Sequence, residues 1–333
     1  MHRTTWKGTL LACLLLLAVA FLLFLIGLSL GSTMIHPWQA ILHLLGIGNG
    51  EYTFIINTLR LPRMILALLA GASLGLSGLI LQGIIRNPLA SPDILGVTSG
   101  ASAAAITYIV YLSGWLGSRY LPVAAILGAG IVSFIIYLLA WRRGVTPIRL
   151  VLIGIGVAAA AGAVTTMMMV LGSSVLLGQA YIWMTGSVYG ANWGDVRALL
   201  YWFVVLCALV LYFSRALQLQ ELGDDTAIGL GARLQLHRAI LLLLSIGLAG
   251  SAVAFAGGIG FVGLIAPHIS RALIGRSPIG RIFVTAIIGG LLVCMADVIG
   301  RTAFIPKDVP AGVFTAGVGA PFFIYLLYRN RNR

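Results

Sequence analysis

Charge is the first thing this chain lacks. Lys, Arg, Asp and Glu make up 9% of its 333 residues, against the roughly 25% of an ordinary soluble domain. Lysine is nearly absent: Lys7 and Lys307 are the only two, and neither follows a glycine. A GxxxxGK[ST] phosphate loop therefore has no place here, and any ATP that powers the protein must be hydrolysed by a separate chain. Cys13, Cys207 and Cys294 each stand alone in an apolar segment, which argues against a disulfide or paired-cysteine metal framework. Of eight acidic residues only Asp297 lies well inside an apolar run. His2, His36, His43 and His237 fall in terminal or loop regions, and His268, in Ala266-Pro267-His268, suits packing better than ligation. Proton-coupled carriers use several ionisable groups at membrane depth, and a membrane-embedded enzyme needs a clustered His/Asp/Glu or Ser/His set. The chain offers neither, and no resident cofactor or metal is expected of it.

Apolar residues fill the space that charge leaves, at 60% of the chain. They form runs near 10–30, 61–85, 94–113, 121–140, 148–171, 196–213, 238–256, 259–273, 280–300 and 312–328. Most approach the ~20 residues a bilayer requires. The expectation is an all-α polytopic membrane protein with about ten membrane helices, one domain over residues 1–333, and a short half-inserted helix near 173–182. Leu10-Leu11-Ala12-Cys13 superficially matches a lipoprotein cleavage box, but the apolar run follows the cysteine, so an uncleaved first helix is expected. The net charge of +13 then reflects basic residues gathered in cytoplasmic loops and not a nucleic-acid surface. With a cytoplasmic N-terminus, Arg3, Lys7, Arg86, Arg142, Arg143, Arg149, Arg215, Arg233, Arg238, Arg271, Arg276, Arg281, Arg329, Arg331 and Arg333 fall inside, and Arg60, Arg63, Arg119, Arg197, Arg301 and Lys307 outside. Fifteen against six places both termini in the cytoplasm and favours an even number of spans.

Five features stand out. Residues 60–101 begin as an apolar helix rich in small residues and break at Asn87-Pro88 and Ser91-Pro92. Irregular backbone at membrane depth is tolerated where it is buried in protein or lines a water-filled path. Most of the 42 glycines, Gly71-x-x-x-Gly75 among them, read as close helix packing. The longest polar stretch, 215–238, holds Glu221, Asp224 and Asp225 and predicts one or two short amphipathic helices jointed at Gly229–Gly231. It is a candidate docking surface for a cytoplasmic partner. Asp297 has Arg301 one helical turn away as its predicted ion-pair partner. Arg60, Arg63 and Arg301, on an otherwise weakly charged exterior, form a candidate docking site for carboxylates.

These residues resemble one family along most of the chain, from about 55 to 329: the permease subunits of type II ABC importers for iron-siderophores and cobalamin. RLPR at 60–63, GASLGLSG at 71–78, Gln82-Gly83 and NPLASPDILG at 87–96 are similar to its second helix and following loop. So are WMTGS at 183–187 with Trp193, LGDDTAIGLG at 222–231, GIGFVGLIAPHISR at 258–271 and DVPAGVFTAGVGAPFFIYLLYR at 308–329 to later segments. The resemblance implies a ten-helix permease fold with an inverted repeat, of which only the proline-broken segments at Pro88 and Pro267 give an echo. It implies a second permease subunit (homodimer or heterodimer), two ATPase subunits that bind the ATP, and an extracytoplasmic substrate-binding protein, in a bacterial cytoplasmic membrane. It assigns binding-protein docking to Arg60, Arg63 and Arg301. A coupling loop within 215–237 is assigned to Leu222, Gly223, Asp224, Asp225, Ala227, Gly229, Leu230 and Gly231. The translocation gate falls to Asn87, Pro88, Leu89, Pro92, Thr146 and Pro147. Asp93 in Ser91-Pro92-Asp93 resembles siderophore permeases more than cobalamin ones, so ferric siderophore is the expected cargo, with cobalamin or haem as the alternative.

Overall fold

The computed structural model describes residues 6–47, 50–142, 144–274 and 277–330. Arg3, Arg143, Arg276, Arg331 and Arg333, counted above for orientation, lie outside the described residues. The helices are α1 (Trp6–Ser29), α2 (Pro37–Leu44), α3 (Leu61–Ile85), α4 (Val97–Tyr111), α5 (Ser113–Leu116), α6 (Leu121–Ala140), α7 (Pro147–Leu171) and α8 (Ser174–Thr185). They continue with α9 (Trp193–Tyr212), α10 (Ser214–Glu221), α11 (Asp224–Gly229), α12 (Leu234–Ala256), α13 (Val262–Ile274), α14 (Pro278–Thr302) and α15 (Ala311–Asn330). A π-helical stretch, Phe54–Arg60, runs directly into α3. Proline starts many of these elements: Pro37, Pro62, Pro122, Pro147 and Pro278 each occupy the first turn of their helix. There the missing N–H has no intrahelical acceptor in any case.

Eight of the described helices are long and apolar enough to cross a membrane. The apolar runs expected at 94–113 and 259–273 form the shorter α4 and α13, of 15 and 13 residues. At 1.5 Å per residue these reach only about 22 and 20 Å, short of the ~30 Å hydrocarbon core. Each follows irregular backbone, residues 86–96 before α4 and 257–261 before α13. The break before α4 is opened by Arg86, which ends α3 in the left-handed region at φ 56°. The entry to α13 passes through Phe261 at φ 67°. The short helix expected near 173–182 is α8.

The bundle is built around α3. Nearly all of it is buried, and it packs against α14, α12, α13 and α9. What lets α14 and α13 approach most closely is the absence of side chains. A Cβ on Gly71 would collide with the Gly289 carbonyl of α14, and one on Gly78 with the Gly263 carbonyl of α13. Without a hydrophobic effect between helices in lipid, such backbone-to-backbone packing is the main source of cohesion. α1, α6, α7, α9 and α15 surround this centre and expose rows of large apolar side chains, Leu127, Ile131, Phe134 and Leu138 on α6 among them.

Gly78→Val is expected to cost at least the ~1–3 kcal/mol of an overpacked core, read as a lowered thermal transition of the purified chain in detergent. Gly162→Val, where no atom lies within 4 Å of the added Cβ, should leave the transition in place. Equal losses would contradict the role given to α3.

Candidate functional site

Ionic side chains collect at the two ends of the bundle. At one end, Arg63 in the first turn of α3 is the hub. Its Nε donates to Asp297 of α14 at 2.8 Å, and its Nη1 and Nη2 fork onto Asp308 at 2.6 and 2.9 Å. The Tyr189 ring lies 5.5 Å from its guanidinium carbon. One side chain thus ties α3, α14 and the segment leading into α15. The ion pair expected between Asp297 and Arg301 is present, the Arg301 Nε standing 3.8 Å from Asp297 Oδ2 without a hydrogen bond, and Arg63 is the hydrogen-bonded partner that the sequence did not indicate. The Arg301 Nη2 donates to the Gly27 carbonyl. Arg60 likewise donates to the carbonyls of Leu28 and Ser29, at 2.5 and 3.0 Å, and to that of Thr33. The last carbonyls of a helix have no intrahelical donors, so two arginines from the core staple the end of α1. The structure therefore brings Arg60, Arg63 and Arg301 together, with the guanidiniums turned inward and internally partnered.

At the opposite end α10 and α11 form a short helical hairpin over the segment expected to couple. Its joint lies at Leu222–Gly223, where Gly223 takes φ 101°, and not at Gly229–Gly231, which close α11. Gly223 is the position where a left-handed backbone lets the chain reverse. Ala227 is the buried residue of α11, while Leu222, Ile228 and Leu230 are more than half exposed and Asp225, Gly229 and Gly231 are open. Glu221 pairs with Arg281 of α14 through two bonds of 2.9 and 3.0 Å. Asp224 Oδ1 accepts from Arg238 Nη2 at 2.8 Å and lies 3.2 Å from Arg86 Nη2.

Asp224 is a junction because of where those two arginines lead. Arg86 immediately precedes Asn87-Pro88. Arg238, fully buried on α12, donates from Nη1 to the Val145 carbonyl at 2.5 Å and from Nε and Nη2 to Gln220 at 3.2 and 3.1 Å. Gln235 holds the Val145 N–H at 3.0 Å, next to Thr146-Pro147. The two segments predicted to form the gate are thereby tied to one carboxylate on the hairpin. They also meet each other: Asn87, Pro88 and Pro147 line a cleft of about 400 Å³ with Ile85, Arg86, Ile148, Val151 and Leu152. Thr146 adjoins it. Leu89 points elsewhere, into the apolar cluster with Phe261, Leu264 and Phe322. Pro92 is buried, its ring against Gly263. Asp93 accepts from Thr98 Oγ1 at 2.6 Å and Ser91 Oγ at 3.2 Å, stabilising the start of α4. His268 stacks edge-on with Phe322 at 5.5 Å, a packing role as expected. Among the described residues no group of His, Cys, Asp and Glu is placed to hold a metal.

A helical membrane bundle with two interrupted half-helices and a charged helical hairpin tied to the breaks is the architecture of a transport permease. The FecCD transport family matches residues 16–329, and the chain belongs to that family. It is 46% identical over 331 residues to the achromobactin transport system permease protein CbrC of Dickeya dadantii (strain 3937), covering 99% of this chain and 94% of that one. It is 42% identical to the iron(3+)-hydroxamate import system permease protein FhuG of Bacillus subtilis (strain 168), over 95% of this chain and 97% of that one. Among solved structures, a metal-chelate type ABC transporter in an inward-facing conformation matches with TM-score 0.83 and 28% identity, over 96% of this chain and 99% of that chain.

Asp297→Asn removes a carboxylate from beside two buried guanidiniums and is expected to destabilise the chain by ~3–5 kcal/mol. Asp308, whose side chain is 27% exposed against 1% for Asp297, should cost ~1 kcal/mol or less as Asp308→Asn. Thermal unfolding in detergent separates the two; a larger loss at Asp308 would contradict this assignment.

Proposed function

We propose that this permease is the membrane subunit of an ATP-driven importer that passes a ferric siderophore across a bacterial cytoplasmic membrane. The observation that carries the coupling part is the Asp224 junction, which joins the α10–α11 hairpin to both segments of the cleft. A partner that pushes on the exposed Leu222, Ile228 and Leu230 would move Asn87-Pro88 and Thr146-Pro147 together. Two ATPase subunits are that partner, they bind the ATP, and this chain needs no cofactor of its own. A second permease subunit completes the path, and an extracytoplasmic binding protein delivers the cargo. Ferric siderophore is favoured because relatives named for achromobactin and iron(3+)-hydroxamate transport align over nearly the whole chain.

The orientation rests on the arginine count: both termini and the hairpin face the cytoplasm. The end with Arg60, Arg63 and Arg301 then meets the binding protein. Three guanidiniums against two carboxylates leave that face positive, and a field steers an acidic partner without any guanidinium pointing outward.

The test is uptake of radiolabelled iron, presented as a panel of siderophores, with labelled cobalamin and haem alongside, in proteoliposomes holding the assembled transporter. Uptake of one siderophore class is expected. Gly223→Val, strained at φ 101° and crowding Arg86 Nη1 at 3.0 Å, should keep ATP hydrolysis and lose most uptake. Arg301→Gln should weaken binding-protein association at low salt. Uptake of cobalamin or haem alone would overturn the cargo, and full uptake by Gly223→Val would overturn the coupling element.

A further inference from the structure

Gln82 lies in the last two turns of α3, is 3% exposed, and belongs to neither the hairpin nor the cleft. Its surroundings are backbone carbonyls from two different breaks. The Nε2 amide stands 3.3 Å from each of the carbonyls of Ala90, Gly263 and Leu264. Its Oε1 accepts from Arg271 Nη2. These partners fix the amide's orientation, since the reverse would set an oxygen among three carbonyls and N–H groups against a guanidinium.

The Gly263 carbonyl has a specific need for that donor. In an α-helix it would accept from the N–H four residues on, which here is Pro267, and proline has no N–H. A carbonyl orphaned inside a membrane bundle must be satisfied by another donor. The Ala90 carbonyl belongs to the other break, between α3 and α4. The two breaks also touch directly: a Cβ on Gly263 would lie 2.9 Å from the Pro92 ring and 3.0 Å from the Leu74 carbonyl. On the far side, Glu221 of the hairpin pairs with Arg281, whose carbonyl accepts from Ser270 Oγ at 3.1 Å, and Ser270 is the chain neighbour of Arg271. A Cβ on Gly83, next to Gln82, would also lie 2.7 Å from the Leu217 side chain and 3.7 Å from Glu221 Cγ on α10. Contacts therefore lead from Glu221 on the hairpin, by Arg281, Ser270 and Arg271, to Gln82 and into both breaks.

From this we infer that Gln82 is a positioning residue for transport: it couples the two interrupted helices to each other and to the hairpin, so that displacement of α10 shifts both breaks as one unit. The inference rests on the proposed ATP-driven import for its transport consequence, but not for the linkage of the two breaks. Gln82→Met keeps the volume and removes both donor and acceptor. Gln82→Met/Pro267→Ala gives the Gly263 carbonyl a helical donor again while leaving Ala90 and Arg271 without the amide.

The experiment is hydrogen exchange of residues 87–96 and 261–270, together with iron transported per ATP hydrolysed, in nanodiscs holding the assembled transporter. Gln82→Met should assemble and exchange about tenfold faster in both segments, the factor that goes with a buried carbonyl losing its donor. Iron moved per ATP should fall several-fold while hydrolysis continues. Adding Pro267→Ala should restore protection at 261–270 only, with transport still uncoupled. Faster exchange in one segment alone would overturn the inference. Full recovery of coupling by Pro267→Ala would overturn it too, because Gln82 would then merely cap a proline break. If the unsubstituted transporter moves no ferric chelate, the import reading has failed, and the exchange data still decide whether Gln82 joins the breaks.

Discussion

Everything in this bundle depends on how closely other backbones approach α3. Lipid tails are as apolar as leucine, so helices in a membrane gain little from hiding apolar surface and much from contact and hydrogen bonding. Gly71 and Gly78 put the carbonyls of Gly289 and Gly263 where side chains would otherwise stand. That contact makes α3 a buried post with α12, α13 and α14 fixed to it. Polar side chains on the post then become functional by position. Arg63 at one end reaches Asp297 and Asp308, and Gln82 near the other reaches the carbonyls of both breaks.

The two ends use charge differently. Around Arg63 the guanidiniums are committed to the carboxylates of Asp297 and Asp308 and to the last carbonyls of α1, an arrangement that stiffens. Around Asp224 the same residue types form a linkage between mobile candidates: a hairpin with an exposed apolar face, a proline turn before α7 and a left-handed exit from α3. Backbone held in sparsely populated conformations tends to gather where a protein works, and Arg86 lies at that exit. The proposed import uses this asymmetry, with one end steady and the other able to transmit a push.

Much of this was legible in the sequence, and what was hidden has a common cause. Long apolar runs, proline at helix starts and glycine spacing are local signals, so helix positions and the break at 87–96 came through. The lengths of α4 and α13 did not, because hydropathy continues through the irregular backbone that precedes them. Partner choice was the weakest point. Asp297 has an arginine four residues on, and the local rule selects it. The fold keeps that pair at 3.8 Å and adds a hydrogen-bonded partner, Arg63, from 234 positions away in the chain. Arg238 and Gln82 went unassigned for the same reason. Each is a buried polar residue on a largely apolar helix, a sign that partners exist, but the partners come from Val145, Asp224, Ala90 and Gly263. Tertiary approach decides them, and no window of sequence contains it.

In the proposed transport cycle α3 and α14 stay fixed while the hairpin moves. Spin labels at Leu59, just before α3, at Leu230 on the hairpin and at Phe283 on α14 all occupy exposed sites. Double electron–electron resonance on the assembled transporter, with and without ATP on its partner, would measure both distances. The Leu59–Leu230 distance should shift by several ångströms while Leu59–Phe283 stays constant. A shift in both distances, or a change in Leu59–Phe283 alone, would contradict the claim.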